Sequence, residues 1–135
     1  MNTFKIGIAG CLGRMGKELV SSVFQNQQTI FVGGFEKKNH PQIGEQFSKI
    51  FNLDSSLVVT DNSQEVFSAS DCIIDFTTPE STSNNIDFAI KAKTALVIGT
   101  TGLDENILKQ IENASKIIPI LQSTNMSLGV NTLHS

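Results

Sequence analysis

The sequence lacks tryptophan and tyrosine, holds only two cysteines, and contains no apolar run of the roughly 18 residues that a membrane-spanning helix needs. Cys11 and Cys72 are too few for a disulfide framework and lack the spacing of a metal site. A helix N-terminus near Cys11 can lower a thiol pKa, but we interpret Cys11 as a small side chain in a tight loop and Cys72 as a core residue. The apolar run near the N-terminus ends at Ala9, too early for a signal peptide, so we expect a cytoplasmic protein.

Basic clusters are also absent. Ten lysines and arginines stand against 13 aspartates and glutamates, for a net charge of −3, and no basic run exceeds Lys37-Lys38. The sequence therefore predicts no nucleic-acid partner. His40 and His134 have no partner at helical spacing and no HExxH pattern occurs, so no metal site is predicted. At 135 residues the chain is expected to form one globular domain.

The most informative segment is the glycine loop, residues 10–16, which follows a short apolar strand and leads into an amphipathic helix. Glycine stands at every third position, at Gly10, Gly13 and Gly16. This pattern is typical of a strand–turn–helix unit that holds a pyrophosphate against a helix N-terminus. A glycine triplet alone also fits a simple tight turn, so the rest of the chain has to decide between the two readings.

Strand and helix patterns alternate along the whole chain. Apolar runs predict strands at 4–9, 29–35, 57–60, 72–76, 95–98 and 117–121. Helical periodicity predicts helices at about 14–25, 61–69, 79–93 and 105–114, the last three capped by Ser63, Thr78 and Asp104. The aperiodic segment 39–56 is predicted to be a surface excursion with little regular structure. This alternation predicts an α/β fold, a doubly wound parallel sheet with right-handed crossovers of the Rossmann-like dinucleotide-binding type.

Unusual residues cluster where the predicted strands end, which is where open parallel sheets bind ligands. Glu36 ends the second strand, 20 residues after Gly16, where an acidic side chain can accept both hydroxyls of an adenosine ribose. A solvated surface charge is the alternative for Glu36. Lys37 and Lys38 follow, and a cation there can hold the 2′-phosphate of NADP, although an exposed polar turn explains each lysine equally well.

Several of these segments together resemble the 4-hydroxy-tetrahydrodipicolinate reductase family, also called dihydrodipicolinate reductase. The resemblance covers nearly the whole chain and is strongest in the Gly-Arg-Met-Gly and Gly-Thr-Thr-Gly runs. The matching residues are 8–16, Asp75-Phe76-Thr77 with Pro79-Glu80, 97–102, and Asn125 followed by Ser127, Gly129, Val130 and Asn131.

The resemblance implies reduction of a cyclic unsaturated dicarboxylate by NADH or NADPH, in the diaminopimelate route to lysine. It implies that the glycine loop binds the pyrophosphate, that Glu36 binds the adenosine ribose, and that Lys37 meets a 2′-phosphate. The implied pyrophosphate residues are Gly10, Cys11, Leu12, Gly13, Arg14 and Met15, and the implied nicotinamide residues are Gly99, Thr100, Thr101, Ser123, Thr124, Asn125 and Met126.

Two positions depart from the family pattern. Leu12 stands where some members have a further glycine, which predicts a more hindered approach of the phosphate, and Met126 stands where an aromatic residue is common. The family also carries a second domain with the proton donor, the clamps on the substrate carboxylates and the oligomer contacts, and its histidine- and lysine-containing motifs are not in this sequence. We therefore expect a dinucleotide-binding domain at 1–127, a hinge at 128–135, and no catalytic residue in this chain.

A second class of function shares these features. A non-catalytic nucleotide-binding or redox-sensing module would have the same fold and glycine loop, because fold does not fix function. Such a module, reading only the adenosine half of the ligand, would not need the 99–102 loop. A remnant that binds nothing is the third possibility, and a titration with NADH separates it from the other two.

Overall fold

The computed structural model describes residues 3–123. Ten elements follow one another in this part of the chain. The strands are β1 Phe4–Ala9, β2 Thr29–Phe35, β3 Cys72–Asp75, β4 Ala95–Ile98 and β5 Ile120–Gln122. The helices are α1 Arg14–Gln25, α2 Phe47–Phe51, α3 Ser63–Ala69, α4 Pro79–Ala92 and α5 Glu105–Ala114.

The five strands form one sheet in the order β2-β1-β3-β4-β5, and every neighbouring pair is parallel. The chain moves outward from β1 to β2 and then crosses back to β3, so the switch point lies between β1 and β3. Register places the last residues of the strands side by side, since Phe35 pairs with Ala9, Ala9 with Asp75, Asp75 with Ile98, and Ile98 with Gln122. The loops that follow these strands therefore emerge at one level along one edge of the sheet.

Both faces of the sheet are covered by helices, which confirms the doubly wound α/β fold. Buried residues of α3, α4 and α5 share one apolar cluster with Ile73, Leu96 and Ile98. Residues of α1 and α2 share a second cluster with Ile74 and Val97. Alternating side chains of β3 and β4 thus enter opposite clusters, as expected for strands that are buried on both faces.

Local chemistry explains the helix starts. Thr78 and Asp104 accept hydrogen bonds from the backbone nitrogens of Ser81 and Ile107, which confirms both predicted N-caps. The predicted cap of α3 is wrong by one residue. Asn62, not Ser63, caps this helix, with its side-chain oxygen 3.2 Å from the backbone nitrogen of Glu65. An asparagine amide oxygen is a strong N-cap acceptor, and Ser63 is then the first helical residue.

The segment 39–56 is more ordered than predicted. It contains α2, and Phe47 at the start of this helix is fully buried, with its ring centroid 5.0 Å from that of Phe31 in an edge-to-face contact. A single-turn helix is too short to produce a recognisable period. The predicted strand at 57–60 is also wrong, because these residues make only isolated bridges, Val58 with Gln46 and Thr60 with Phe35.

The last strand begins later than predicted. β5 starts at Ile120, and Ile117, placed in this strand by its apolar character, is 63% exposed. The apolar positions of α5 predict an inward face of Ile107, Leu108, Ile111 and Ala114, and all but Leu108, which is 42% exposed, are buried. Within residues 3–123, no helix combines the length and the apolar character needed to cross a bilayer.

Candidate functional site

A cleft of about 480 Å³ opens beside the aligned ends of β1, β2 and β3. It lies at the switch point of the sheet, where open α/β folds bind their ligands. Its walls come from the glycine loop, the end of β2, the start of α3, the β3–α4 turn and one face of α4. The lining residues are Gly10, Gly13, Phe35, Glu36, Lys37, Lys38, Asp61, Ser63, Phe76, Thr77, Thr78, Glu80, Ser81, Asn84, Asn85 and Phe88.

The glycine loop packs too closely to admit side chains at two of its positions. Gly10 has a φ of +66°, and its carbonyl oxygen accepts a hydrogen bond from the backbone nitrogen of Gly13 at 3.0 Å. A Cβ at Gly16 would overlap that same carbonyl oxygen. The start of α1 is therefore held against the turn, which is the arrangement that strand–turn–helix units use to bind a pyrophosphate.

The side chains of Cys11 and Leu12 turn inward from this loop. Cys11 is fully buried and Leu12 is 8% exposed, and both belong to the apolar cluster beneath α1. The Leu12 side chain therefore packs in the core beneath α1 and is not among the residues that line the cleft, and the expected hindrance of a phosphate at this position stays a prediction. Burial, reinforced by the Glu36 carboxylate, raises the pKa of the Cys11 thiol well above its usual range, so Cys11 is the packed side chain that we expected and not a reactive thiol.

Arg14 and Met15 form the first turn of α1. Arg14 is exposed and Met15 is half-buried. Neither lines the cleft, so their predicted contact with a pyrophosphate stays a prediction. The exposed guanidinium of Arg14 stands one residue after Gly13, which does line the cleft.

Glu36 reaches back from β2 to the glycine loop. One carboxylate oxygen, Oε2, accepts a hydrogen bond from the backbone nitrogen of Leu12 at 2.7 Å. A charge-assisted bond of this length holds Glu36, the predicted ribose residue, against the glycine loop, which is predicted to hold the pyrophosphate. Lys37 and Lys38 are exposed and line the same cleft, so two cations lie in the cleft with the predicted ribose residue.

The β3–α4 turn, residues 76–78, contributes a cleft wall that the sequence reasoning did not assign. We noted these residues only as a matching motif and Thr78 only as a helix cap. The signal available was their position after a central strand, since the loops after all central strands meet at the same edge. Asp75, the buried last residue of β3, was likewise given no role beyond the matching motif, although a charged residue that ends an apolar strand is itself unusual.

The β4–α5 loop, which holds Gly99, Thr100 and Thr101, packs against the β3–α4 turn and is not among the segments that line the cleft. The ring of Phe76 occupies the space in which a side chain at Gly99 would begin. The hydroxyl of Thr100 is buried and points away from the surface, 2.7 Å from the hydroxyl of Thr82. Thr101 is exposed. Contact of these three residues with a nicotinamide stays a prediction. Because the side chain of Thr100 is buried, its predicted contact would have to come from the backbone.

The remaining predicted residues follow β5. Ser123 is 8% exposed, and its backbone nitrogen donates to the carbonyl oxygen of Ile98 at 2.8 Å, which ties it to the end of β4. Thr124, Asn125 and Met126 lie outside the described residues, as does the predicted hinge. Among residues 3–123, no group of three or more histidine, cysteine, aspartate or glutamate side chains is arranged to hold a metal ion.

Comparison with known proteins identifies the family. The family model described as "Dihydrodipicolinate reductase, N-terminus" matches residues 4–126. The curated protein named 4-hydroxy-tetrahydrodipicolinate reductase from Burkholderia thailandensis is 37% identical over 97% of this chain, and that from Paraburkholderia phymatum is 35% identical over 94%. These alignments cover 49% and 48% of the two relatives, so the chain spans about half the length of the curated relatives it matches.

Two solved structures of similar fold are a reductase and a dehydrogenase. The structure of dihydrodipicolinate reductase with bound dipicolinate from Paenisporosarcina sp. TG-14 superposes with a TM-score of 0.74 at 24% identity, covering 97% of this chain and 51% of that one. Aspartate semialdehyde dehydrogenase with NADP from Candida albicans gives a TM-score of 0.68 at 14% identity, covering 95% and 44%. At such identities the likeness shows the fold alone. With the family match over 4–126, the strand-end cleft and the glycine loop, this chain belongs to the dihydrodipicolinate reductase family, matching its N-terminal region.

Proposed function

We propose that this chain binds NADH and NADPH and forms the cofactor-holding half of a 4-hydroxy-tetrahydrodipicolinate reductase. The observation that supports this most directly is the hydrogen bond between the Glu36 carboxylate and the Leu12 backbone nitrogen. It brings an acidic side chain to the glycine loop, at the rim of a cleft of about 480 Å³. A dinucleotide needs this combination: a ribose acceptor beside backbone N–H groups for its pyrophosphate.

In this proposal the two oxygens of Glu36 have separate tasks. Oε2 is engaged by Leu12, and the other oxygen is free to accept a hydrogen bond from an adenosine ribose hydroxyl. Gly10 and Gly13 line the floor of the cleft, where the pyrophosphate would approach backbone rather than side chains. The adenine would then lie along the wall formed by the β3–α4 turn and α4.

The proposal includes both cofactors because the cleft holds charges of both signs. Glu36 favours the free 2′-hydroxyl of NADH, whereas Lys37 and Lys38 offer cations to the 2′-phosphate of NADPH. One carboxylate and two exposed lysines line the cleft, so each cofactor finds a group that favours it. We therefore expect affinities for the two cofactors that differ by less than about tenfold.

Hydride transfer is the chemistry that the nicotinamide supplies when bound, and this chain supplies position. The Gly99–Thr101 loop and the segment from Ser123 to Met126 are proposed to hold the nicotinamide end. The relatives are about twice as long as this chain, which supports placing the proton donor and the cations for the substrate carboxylates in their other half. Residues 1–127 are proposed as the dinucleotide-binding domain and 128–135 as the connection to a substrate-binding domain.

The test is a parallel titration of the 135-residue chain with NADH and NADPH, followed by cofactor fluorescence. The chain has neither tryptophan nor tyrosine, so protein emission does not interfere. Glu36→Ala is expected to weaken NADH at least about tenfold, because it removes a charged acceptor. Glu18→Ala is the matched control, since Glu18 is an exposed carboxylate on α1 outside the cleft.

Two results would contradict the proposal. One is a wild-type chain that binds neither cofactor, as expected of a remnant. The other is an ADP-ribose affinity equal to that for NADH, which would favour a module that reads only the adenosine half. Rapid reduction of substrate by the isolated chain would show that the assignment of the proton donor to the other half is wrong.

A further inference from the structure

Asp75 is a carboxylate with no exposed surface at the end of the central strand β3. It accepts hydrogen bonds from the backbone nitrogen of Thr77 at 3.0 Å, from the Thr77 hydroxyl at 2.5 Å and from the side-chain nitrogen of Asn85 at 3.1 Å. These donors are neutral. A buried carboxylate is strongly unfavourable without such partners, so its burial requires the β3–α4 turn to keep this conformation.

Thr100 joins the same network from the neighbouring loop. Its hydroxyl oxygen lies 3.1 Å from the backbone nitrogen of Thr77 and 3.4 Å from Oδ1 of Asp75. The hydroxyl of Thr82, on the buried face of α4, lies 2.7 Å from it. The side chain of Thr100 therefore connects the β4–α5 loop to the β3–α4 turn and to α4 at one buried point.

The two connected loops face different parts of the proposed ligand. The β3–α4 turn lines the cleft assigned to the adenosine half, through Phe76 and Thr77. The β4–α5 loop is the proposed support of the nicotinamide. A dinucleotide that spans both loops binds with full affinity only when their separation is fixed in advance.

We infer that Asp75, acting through the hydroxyls of Thr100 and Thr82, is a positioning residue that sets the β4–α5 loop against the adenosine cleft. The inference rests on the proposed function for the identity of the ligand. Asp75 has no surface to offer a ligand, and Thr82 is equally buried, so any effect of either residue on binding has to act through the residues that surround it.

Two threonines allow a matched test. Thr82 and Thr94 are both buried, and each hydroxyl makes a short hydrogen bond, that of Thr94 to the carbonyl oxygen of Phe67 at 2.8 Å. Thr94 precedes β4, at the opposite end of the sheet from the cleft. Replacement of either threonine by valine removes one buried hydroxyl at nearly constant volume, so both variants are expected to lower the midpoint of thermal unfolding.

The experiment measures amide hydrogen exchange at Thr77 and Gly99 by NMR, and NADH affinity, in the 135-residue chain. Thr82→Val is expected to speed exchange of the Thr77 amide about tenfold and to weaken NADH about fivefold. Thr82→Ser, which keeps the hydroxyl, is expected to restore both values, and Thr94→Val to leave both within about twofold of wild type. Asp75→Asn tests the carboxylate directly and is expected to exceed the effect of Thr82→Val.

The inference is overturned if Thr82→Val exchanges and binds as the wild type does, or if Thr94→Val has the same effect at the cleft. If Asp75→Asn fails to fold, the comparison of Thr82→Val with Thr94→Val still tests the inference. A wild-type chain that does not bind NADH removes the proposed function. The exchange rates at Thr77 and Gly99 then still test the connection between the loops.

Discussion

The ring of Phe76 lies against the backbone of Gly99, in the volume that a side chain at position 99 would need. We predicted Gly99 as a nicotinamide contact, and the structure gives this glycine a packing reason as well. Gly99→Ala is expected to lower the free energy of unfolding by about 1–3 kcal/mol, because the new methyl group would displace a partly buried aromatic ring. Urea unfolding measures this change.

Gly33→Ala is the control for that measurement. Its added Cβ would lie 3.5 Å from Val66, an ordinary contact distance, in an extended strand. We expect this variant to retain wild-type stability within about 0.5 kcal/mol. The double variant Gly99→Ala with Phe76→Leu should recover part of the loss. Equal stability of Gly99→Ala and Gly33→Ala would contradict the overlap with Phe76.

Cofactor preference should respond to the charge of Glu36 rather than to its shape. Glu36→Gln keeps an oxygen that can accept from the Leu12 backbone nitrogen but removes the negative charge near the predicted 2′-phosphate position. We expect the ratio of NADPH affinity to NADH affinity to rise about tenfold. Parallel fluorescence titrations measure the ratio.

Glu18→Gln makes the same change of charge on the exposed side of α1, and the ratio should stay within about twofold of wild type because solvent screens this position. If the ratio is unchanged in Glu36→Gln, Glu36 does not lie beside the ribose.

The start of α3 offers a test of the corrected helix cap. Asn62→Ala removes the acceptor of the Glu65 backbone nitrogen and is expected to lower the free energy of unfolding by about 1 kcal/mol. Ser63→Ala changes the neighbouring residue, whose side chain makes no capping bond, and should cost less than about 0.5 kcal/mol. Thermal or urea unfolding of the two variants distinguishes the positions. A larger loss for Ser63→Ala would support the cap predicted from the sequence.

Both thiols make stability depend on alkaline pH. Burial and the nearby Asp71 carboxylate raise the pKa of Cys72 to about 11, and the pKa of Cys11 is raised further. Above about pH 9 the unfolded chain releases these protons while the folded chain retains them. The stabilisation is therefore complete below pH 9 and is lost as the pH rises toward 11, by about 1 kcal/mol per pH unit for each thiol.

Urea unfolding at pH 8, 9 and 10 under reducing conditions measures this dependence. Cys72→Ala should show a shallower fall than the wild type, and the difference between the two slopes isolates the contribution of this thiol. Identical slopes would show that the folded and unfolded states share one pKa at Cys72.

The sequence predicted the parts of the fold in which local signals agree with tertiary packing. The bounds of β1, α1 and β2 are those predicted, because the apolar stripes of these elements are long and their turns contain glycine or a polar run. The caps Thr78 and Asp104 were predictable for the same reason, since capping is a local interaction. The convergence of Glu36 and the glycine loop followed from the rule that parallel strands end at one edge.

What the sequence did not show depends on contacts between distant segments. Phe47 is buried because Phe31 and the α1 side of the sheet receive it, and nothing local distinguishes it from a surface phenylalanine. In the sequence, Asp75 is only a polar residue at the end of a strand. Its burial depends on hydrogen bonds with Asn85 and Thr100, which belong to other segments of the chain. Ile117 shows the opposite case, an apolar residue left exposed after α5 because the strand begins at Ile120.

The five strands end at the same level along one edge of the sheet, and this affects which parts of the sequence can change independently. In the proposed function each of these loops contacts a different part of the cofactor, while the strands that carry them end in register with one another. If that proposal holds, substitutions at residues 36–38 are expected to change the preference between NADH and NADPH without changing the 99–101 loop. The β3–α4 turn and the β4–α5 loop are the exception, because both are hydrogen-bonded in the buried network around Asp75. A substitution in one of these two loops is therefore expected to affect the other.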